Sequence, residues 1–404
     1  MKHKLLGITL FAVTLATVLL YPSVRSSAVL VRPVPPVQSI LPPLQPVVNQ
    51  KPVVEVVFVL DTTGSMSGLI QTAKEKIWSI ASTMAQAKPS PEIRIGLVAY
   101  RDRGDQYVTR SIDLSDDLDS MYGKLMDFVA DGGGDGPESV NAALNDAVNK
   151  MSWSTNRNAY QVIFLIGDAP PHMDYGNEPQ YPAIIAAANQ RGIVVNTIQS
   201  GNLGVTVAPW QQMARLGNGR YFQVEQAGGA LAMATPFDSD LARLSEALDD
   251  TRLYFGSREE KAAMESKTKA AKKLHGLAST ASRARRAAFN ASKSGEKNFL
   301  GTNELVEAVV SGEVDLDKME PESLPASLQA VAPEARQEVV EETAAKRRVL
   351  QSQIKQLSGK RDAFLADEAA ATEGAAESLD HQIYDTVRSQ AGRVGLDYED
   401  GPAY

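Results

Sequence analysis

VVFVLDTTGSMSGLI, residues 56–70, is the stretch from which the fold is read. It belongs to a run, VVEVVFVL (53–60), that is apolar nearly throughout. A strand with one wet face would alternate, so this run predicts a strand covered on both faces. It ends on Asp61, and Gly64 permits a turn before LIQTAKEKIWSIASTMAQA (69–87), whose apolar residues recur at helical spacing. Asp61, Thr63 and Ser65 stand at i, i+2 and i+4, so in a loop leaving a strand their oxygens can point to one side. Hard oxygen donors of this kind suit Mg²⁺ or Mn²⁺ in an octahedral shell completed by water. Two other readings compete: Asp61 as a nucleophile toward phosphate, and Ser65 as an ordinary helix N-cap.

Working outward, strand-like and helical segments alternate from Val53 to about Leu248. EIRIGLVAYRD (92–102) and YVTRSIDLS (107–115) read as strands joined by a turn at RGDQ, followed by a helix with Ser115 as N-cap. A helix at 140–150 precedes YQVIFLIGD (160–168), a second continuously apolar strand. Helices near 182–190, 209–216 and 231–248 then alternate with strands at 192–199 and 220–225. This pattern predicts an α/β fold with a doubly wound, mostly parallel sheet flanked by helices. Ligands of such sheets sit at the carboxyl edge, where three loops converge: Asp61–Ser65, Gly132–Glu138 and Asp168–His172.

Within those loops, ordinary roles are expected for several residues. Glu138 reads as a helix N-terminal carboxylate. His172 reads as a loop-packing or hydrogen-bonding residue, because no nucleophile lies beside it in sequence. Gly132–Gly134 lacks the Lys-[Ser/Thr] ending of a phosphate loop. The tripeptide Arg103–Asp105, RGD, reads as a turn.

The rest of the 404 residues bounds the function. A net charge of −8 opposes nonspecific nucleic-acid binding, and the absence of cysteine excludes disulfides, thiolate nucleophiles and Cys-based metal sites. Four scattered histidines leave oxygen as the expected donor to any metal. Residues 1–28 carry Lys2 and Lys4, an apolar run from Leu5 to Leu20, and small residues at Ser26 and Ala28, predicting a signal peptide or an N-terminal anchor. A proline-rich linker follows at 29–52. After the domain at 53–248, residues 249–404 are Ala-rich and charged, predicting a largely α-helical, coiled-coil or partly disordered extension. Its basic segment 256–297 is a candidate contact for membrane or cell-wall polymer, its acidic stretch 304–342 a candidate partner for that segment, and its stripe Val339, Val349, Leu350, Ile354, Leu357 and Leu365 a buried helix face.

DTTGS, GGGDGPE and LIGDAPPH, in that order, resemble the von Willebrand factor A (vWA) domain, in the secreted bacterial and extracellular-matrix type, over about residues 54–248. The resemblance places Asp61, Thr63 and Ser65 on the family's metal-ion-dependent adhesion motif and Asp168 on its distal aspartate. It implies direct hydroxyl contacts to Mg²⁺ or Mn²⁺, aspartates acting through water, and an acidic residue of a partner protein completing the shell. The family's third hydroxyl falls on Gly136, which has no side chain, so Asp135 or a water is expected in its place.

The resemblance thus implies a non-enzymatic protein that binds another protein through a divalent cation, in adhesion or envelope assembly. The N-terminus implies export to the periplasm, the cell surface or the medium. Two alternatives stand beside it. One is a haloacid-dehalogenase-like phosphatase with Asp61 as nucleophile, opposed by the immediate helix and by the absence of a second aspartate at position 63. The other is a structural scaffold whose metal site does not function.

Overall fold

In a computed structural model of the protein, the described residues are 51–134, 136–156, 158–227, 233–371 and 378–398. The expected signal or anchor, nearly all of the proline-rich linker, and Asp135 lie outside them. Among the described residues no helix is long and apolar enough to cross a membrane.

The sheet has six strands: β1 (Val53–Asp61), β2 (Glu92–Tyr100), β3 (Thr109–Ser115), β4 (Ala159–Gly167), β5 (Val194–Ser200) and β6 (Asn218–Val224). Their order is β3-β2-β1-β4-β5-β6, parallel except for the antiparallel edge strand β3. The order reverses between β1 and β4, which makes their carboxyl ends the switch point of the sheet.

Both faces are covered, as the apolar run required. Val54, Val56, Phe58 and Leu60 pack on one side with α1 (Ser67–Ala85) and α2 (Leu118–Leu125). Val57 and Val59 pack on the other with α3 (Val140–Asn149), α4 (Tyr181–Gln190) and α5 (Gly204–Leu216). The polar exception, Glu55, is fully buried and satisfied, accepting from Gln161 Nε2 at 2.7 Å, from the Ser154 N–H at 3.0 Å and from Arg94.

Three local expectations shift. Asp117, not Ser115, caps α2, its carboxylate accepting from the Ser120 N–H at 3.2 Å, while Ser115 Oγ accepts from the Asp117 N–H at 3.0 Å. α5 begins at Gly204 and carries Pro209 inside it, because the buried Thr206, Trp210 and Met213 hold one face to the sheet. α6 (Asp238–Asp249) begins seven residues later than the sequence pattern suggested.

The change of composition after residue 248 is not a change of packing. The C-terminal region is helical: α7 (Arg258–Leu277), α8 (Thr280–Asn290), α9 (Glu296–Leu300), α10 (Leu305–Val310), α11 (Ala326–Gln329), α12 (Pro333–Ala371) and α13 (Leu379–Ala391). Residues 50–404 form one compact unit. Leu379, Ile383, Tyr384, Val387, Leu396 and Tyr398 join the core beneath α1. Lys76 meets Asp380 at 2.8 Å, and the backbones of Lys88 and Asp397 pair. Gln390 Oε1 accepts from Tyr160 Oη at 2.6 Å and Asn196 Nδ2 at 3.2 Å.

The long helix α12 packs on α6, α8 and α10. Its buried stripe is Val340, Ala344, Arg347, Leu350, Ile354, Ser358, Arg361 and Leu365, whereas Val349, expected in it, is exposed. Arg347 reaches Glu304 at 2.8 Å, and Arg361 reaches Asp238 at 2.6 Å, so guanidiniums occupy core positions with their charges paired.

Part of the basic segment turns inward, while Lys269, Lys272 and Lys293 stay exposed. Arg286 is fully buried and holds Asp119 with two bonds of 2.6 Å, and it contacts Asp249 at 2.9 Å. Lys267 meets Asp117 at 2.6 Å, Lys273 meets Asp127 at 2.7 Å, and Lys297 meets Glu92 at 2.7 Å. These cations therefore pair with the sheet domain and α6, not with the acidic stretch at 304–342.

Two tests follow from this packing. Six core side chains lost from 379–398, at about 1.5–3 kcal/mol each, match or exceed the whole stability of an ordinary domain. A chain ending at residue 371 should lack a cooperative melting transition in calorimetry; a sharp transition near the full-length Tm would refute the shared core.

The second concerns Arg286. Although burial alone would raise them, the Arg286 guanidinium holds both Asp119 and Asp249 below the ordinary carboxylate value of 3.8. With folded-state values depressed, the stability they contribute is present above about pH 4 and is lost as pH falls through the folded values. Arg286→Met should cost about 3 kcal/mol at pH 7 by removing the closest cation from two buried carboxylates, which keep Arg252, His275 and Lys267. Denaturant titrations should find that deficit narrowing below pH 4; a pH-independent deficit would contradict the ion-pair assignment.

Candidate metal centre

Asp61 is the last residue of β1 and is wholly buried. The next strand presses against it: a Cβ at Gly167 would lie 3.1 Å from Asp61 Cβ and only 2.3 Å from Tyr100 Oη. Only glycine fits there, and its lack of a side chain lets the end of β4 close onto Asp61. Asp168 follows directly, so the two expected aspartates leave adjacent strands at the same level, as the register Leu60 to Ile166 requires.

The loop after Asp61 is shaped by the carboxylate itself. Asp61 Oδ1 accepts from the Thr63 N–H at 2.9 Å and from Thr63 Oγ1 at 2.7 Å. Ser65 Oγ lies 3.4 Å from Thr63 Oγ1. A hydroxyl that gives its proton to Asp61 keeps its lone pairs for a cation. The competing N-cap role is not taken: a one-turn 3₁₀ segment, Gly64–Met66, precedes α1, and neither start has a side-chain cap bond.

The glycine-rich loop docks against this turn. The Gly64 N–H donates to Gly132 O at 3.1 Å, and the Asp131 N–H to Thr62 O at 3.2 Å. Gly132 and Gly133 adopt φ of +78° and +80°, and a Cβ on Gly132 would sit 2.4 Å from Asp105 Oδ1. Their positive φ and the tight approach both call for glycine.

Glu138 departs from its expected role. It does not cap α3. It is only 4% exposed and bridges to Pro171 through the backbone, its Oε1 lying beside Gly133 across from Thr63. Burial, with Asp61, Asp102, Asp105 and Asp168 nearby, pushes the Glu138 carboxyl up to about 9. Burial, opposed by the Thr63 hydrogen bonds and reinforced by Asp168, pushes Asp61 up to about 7. Asp61 Oδ2 and Glu138 Oε2 are both buried and without a hydrogen-bond partner among the described residues. The Asp168 N–H and the Tyr100 hydroxyl lie beside Asp61 without completing a hydrogen bond to Oδ2, so this carboxylate and Glu138 are under-satisfied in a way that a cation would correct.

Asp168 is half-buried, and its Oδ2 accepts from Gln226 Nε2 at 2.8 Å; that amide also reaches Ser65 O at 3.3 Å. Gln226 therefore ties the first and third loops together. No group of three or more His, Asp or Glu side chains among the described residues could hold a metal by itself. An ion here would rest on hydroxyl oxygens as well as carboxylates, and Thr63 and Ser65 are that donor set. The structure thus brings together Asp61, Thr63, Ser65 and Asp168. It adds Glu138 and Gln226, which the sequence reading did not assign to the site. The PE of GGGDGPE was the available signal for Glu138; its burial comes from distant loops and was not readable.

The remaining loop residues have partners elsewhere. His172 stacks on Tyr175 at 4.1 Å and approaches Asp174 at 2.8 Å, the hydrogen-bonding role expected of it. In the RGD turn, Arg103 lies over the Tyr175 ring and pairs with Glu178 at 3.0 Å, while Asp105 accepts from the Gly133 N–H at 3.1 Å.

Residues 55–236 match the family model described as the von Willebrand factor A domain. Over 124 residues, 31% of this chain, the sequence is 27% identical to an ariadne-like RING finger protein of Acanthamoeba polyphaga mimivirus, and it spans 12% of that protein's length. Among solved structures, the SpRpn10 VWA domain aligns over 43% of this chain and 89% of its own, at 14% identity and a TM-score of 0.34. Proximal thread matrix protein 1 from the mussel byssus, in a structure described as having a zinc-occupied MIDAS motif, aligns over 43% and 42% at 15% identity and a TM-score of 0.34. The family match and the sheet, with its three motif loops at one carboxyl edge, support a von Willebrand factor A domain at residues 55–236.

Proposed function

We propose that this vWA domain binds another protein through a divalent cation, Mg²⁺ or Mn²⁺, held by the hydroxyls of Thr63 and Ser65, with the carboxylates of Asp61, Asp168 and Glu138 acting in part through water. The observation that carries the reading is the pair of buried, unpartnered oxygens, Asp61 Oδ2 and Glu138 Oε2. A divalent ion would supply the positive charge that these groups lack and a coordination position for an acidic residue of the partner.

This chain's own residues do the rest. Thr63 fixes Asp61 by two hydrogen bonds, Gln226 orients Asp168, and the docked glycine loop brings Glu138 in from the side. A Cβ at Gly136 would meet nothing within 4 Å, so that position offers neither a donor nor a contact. Glu138 takes the place of the missing hydroxyl in this proposal, and Asp135 remains a further candidate outside the described residues. A carboxylate in place of a hydroxyl makes the shell more anionic and weakens its pull on a partner's carboxylate.

The burial of Asp61 supports the non-enzymatic reading, because an attacking carboxylate needs an open approach and one Asp61 oxygen is already taken by Thr63. Export to the periplasm, cell surface or medium, in adhesion or envelope assembly, rests on the basic and apolar N-terminus and the proline-rich spacer.

Calorimetry on the full chain, stripped with chelator and titrated with MgCl₂ or MnCl₂, should show saturable binding, weakened tenfold or more by Asp61→Asn and by Glu138→Gln; the same affinity in both variants, or no binding in the wild type, would sink the proposal. In chelator at pH 8, Asp61→Asn should melt above the wild type, since it removes a buried charge, whereas Glu138→Gln should leave Tm nearly unchanged because that carboxyl, pushed up to about 9, is already neutral there. Pull-downs from envelope extract with and without chelator should then recover a partner only when the ion is present.

A further inference from the structure

A cavity of about 460 Å³ lies where the end of α1 meets α8 and the middle of α12. It sits at the far end of α1 from Ser65, and a 19-residue helix spans about 28 Å, so it is separate from the metal centre. Its size falls in the range of small-molecule sites.

Three features of its lining have no structural purpose of their own. The first is charge: in a chain of net charge −8, this cavity gathers Arg285, Lys293 and Lys355 against one carboxylate, Asp362. Asp362 is already committed to Arg285 at 2.6 Å, which leaves two exposed lysines at the mouth. Burial, with the neighbouring Arg361, pulls the Arg285 guanidinium down to about 10, and Asp362 opposes that shift.

The second is Ser358 Oγ, which is buried, on the cavity wall, and without a hydrogen-bond partner among the described residues. The third is Gly359, in the interior of the 39-residue helix α12. Glycine disfavours a helix interior, and it is tolerated where something must approach closely. Here a Cβ would meet nothing within 4 Å, so no neighbouring side chain or backbone demands the glycine. The opposite wall is apolar, formed by Ala85, Ala288 and the ring of Phe289.

We propose that this cavity binds a small amphiphilic anion, its carboxylate or phosphate group between Lys293 and Lys355 with Ser358 beneath, and its short apolar body over Gly359 against Phe289. Such a ligand would touch the vWA core through α1 and the C-terminal helices through α8 and α12 at once, so its binding would fasten the two regions together.

The test is thermal unfolding of the full chain titrated at constant ionic strength with hexyl phosphate, with hexanoate, with inorganic phosphate and with neutral hexanol. Hexyl phosphate or hexanoate should raise Tm saturably, and whichever acts more strongly identifies the headgroup; inorganic phosphate should act more weakly than hexyl phosphate. Lys293→Glu combined with Lys355→Glu, both at exposed positions, should weaken apparent affinity tenfold or more. Gly359→Leu should weaken the shift by placing a side chain where the ligand's apolar body would lie. The proposal is overturned if no anion shifts Tm beyond a NaCl control, if hexanol matches the best anion, or if the lysine reversals, folded by circular dichroism, bind as the wild type does.

Discussion

A carboxylate sealed at the end of a buried strand governs the carboxyl edge of this sheet. Asp61 is wholly buried, and β4 closes on it through a glycine. One of its oxygens is satisfied locally by Thr63, which fixes the turn, and the turn in turn receives the glycine-rich loop. That loop carries Glu138 inward and sets a second buried carboxylate near the first. The geometry gathers carboxyl groups in a place that excludes water, which pushes them to hold protons unless a cation is present to stabilise their ionised form. Stability and ligand binding at this edge are therefore one problem: the same groups that strain the domain without a cation are those that would hold one.

Away from that edge, buried charge is balanced by the protein itself. Basic residues of α7 and α8 enter the interior, and Arg286 gathers two aspartates from separate elements around one guanidinium. A planar, permanently charged group with several donors suits such a hub better than lysine. Because Asp119 belongs to α2 and Asp249 to the end of α6, the hub joins the sheet domain to the helices that follow.

Much of the fold was legible because its signals are local. Continuous apolar runs gave the central strands of a doubly wound sheet, and the spacing Asp61, Thr63, Ser65 with Asp168 marked four residues that do meet at one edge. Glu138 does precede a helix, which is a local feature, while its burial depends on Pro171, Gly133 and Thr63 and is not legible in the sequence. The C-terminal region was harder for a related reason. Arg286, Lys267, Arg347 and Arg361 stand at core positions, and a hydrophobic pattern reads such residues as solvent-facing. Val349 was read as core and is exposed, since the stripe of α12 is set by what α6, α8 and α10 present to it.

The pairing of the chain's last described segment with its first helix also sets a timetable. Tyr398 reaches Met84 O across 314 positions of sequence. At roughly 5–20 residues per second, synthesis takes about 15–60 s to cover that distance. During that interval α1 and the sheet beneath it stay without part of their cover, so this core closes only after residue 398 has been made. For a protein proposed to leave the cytoplasm, such late closure would keep the chain open for threading through a translocation channel and reserve final compaction for the far side.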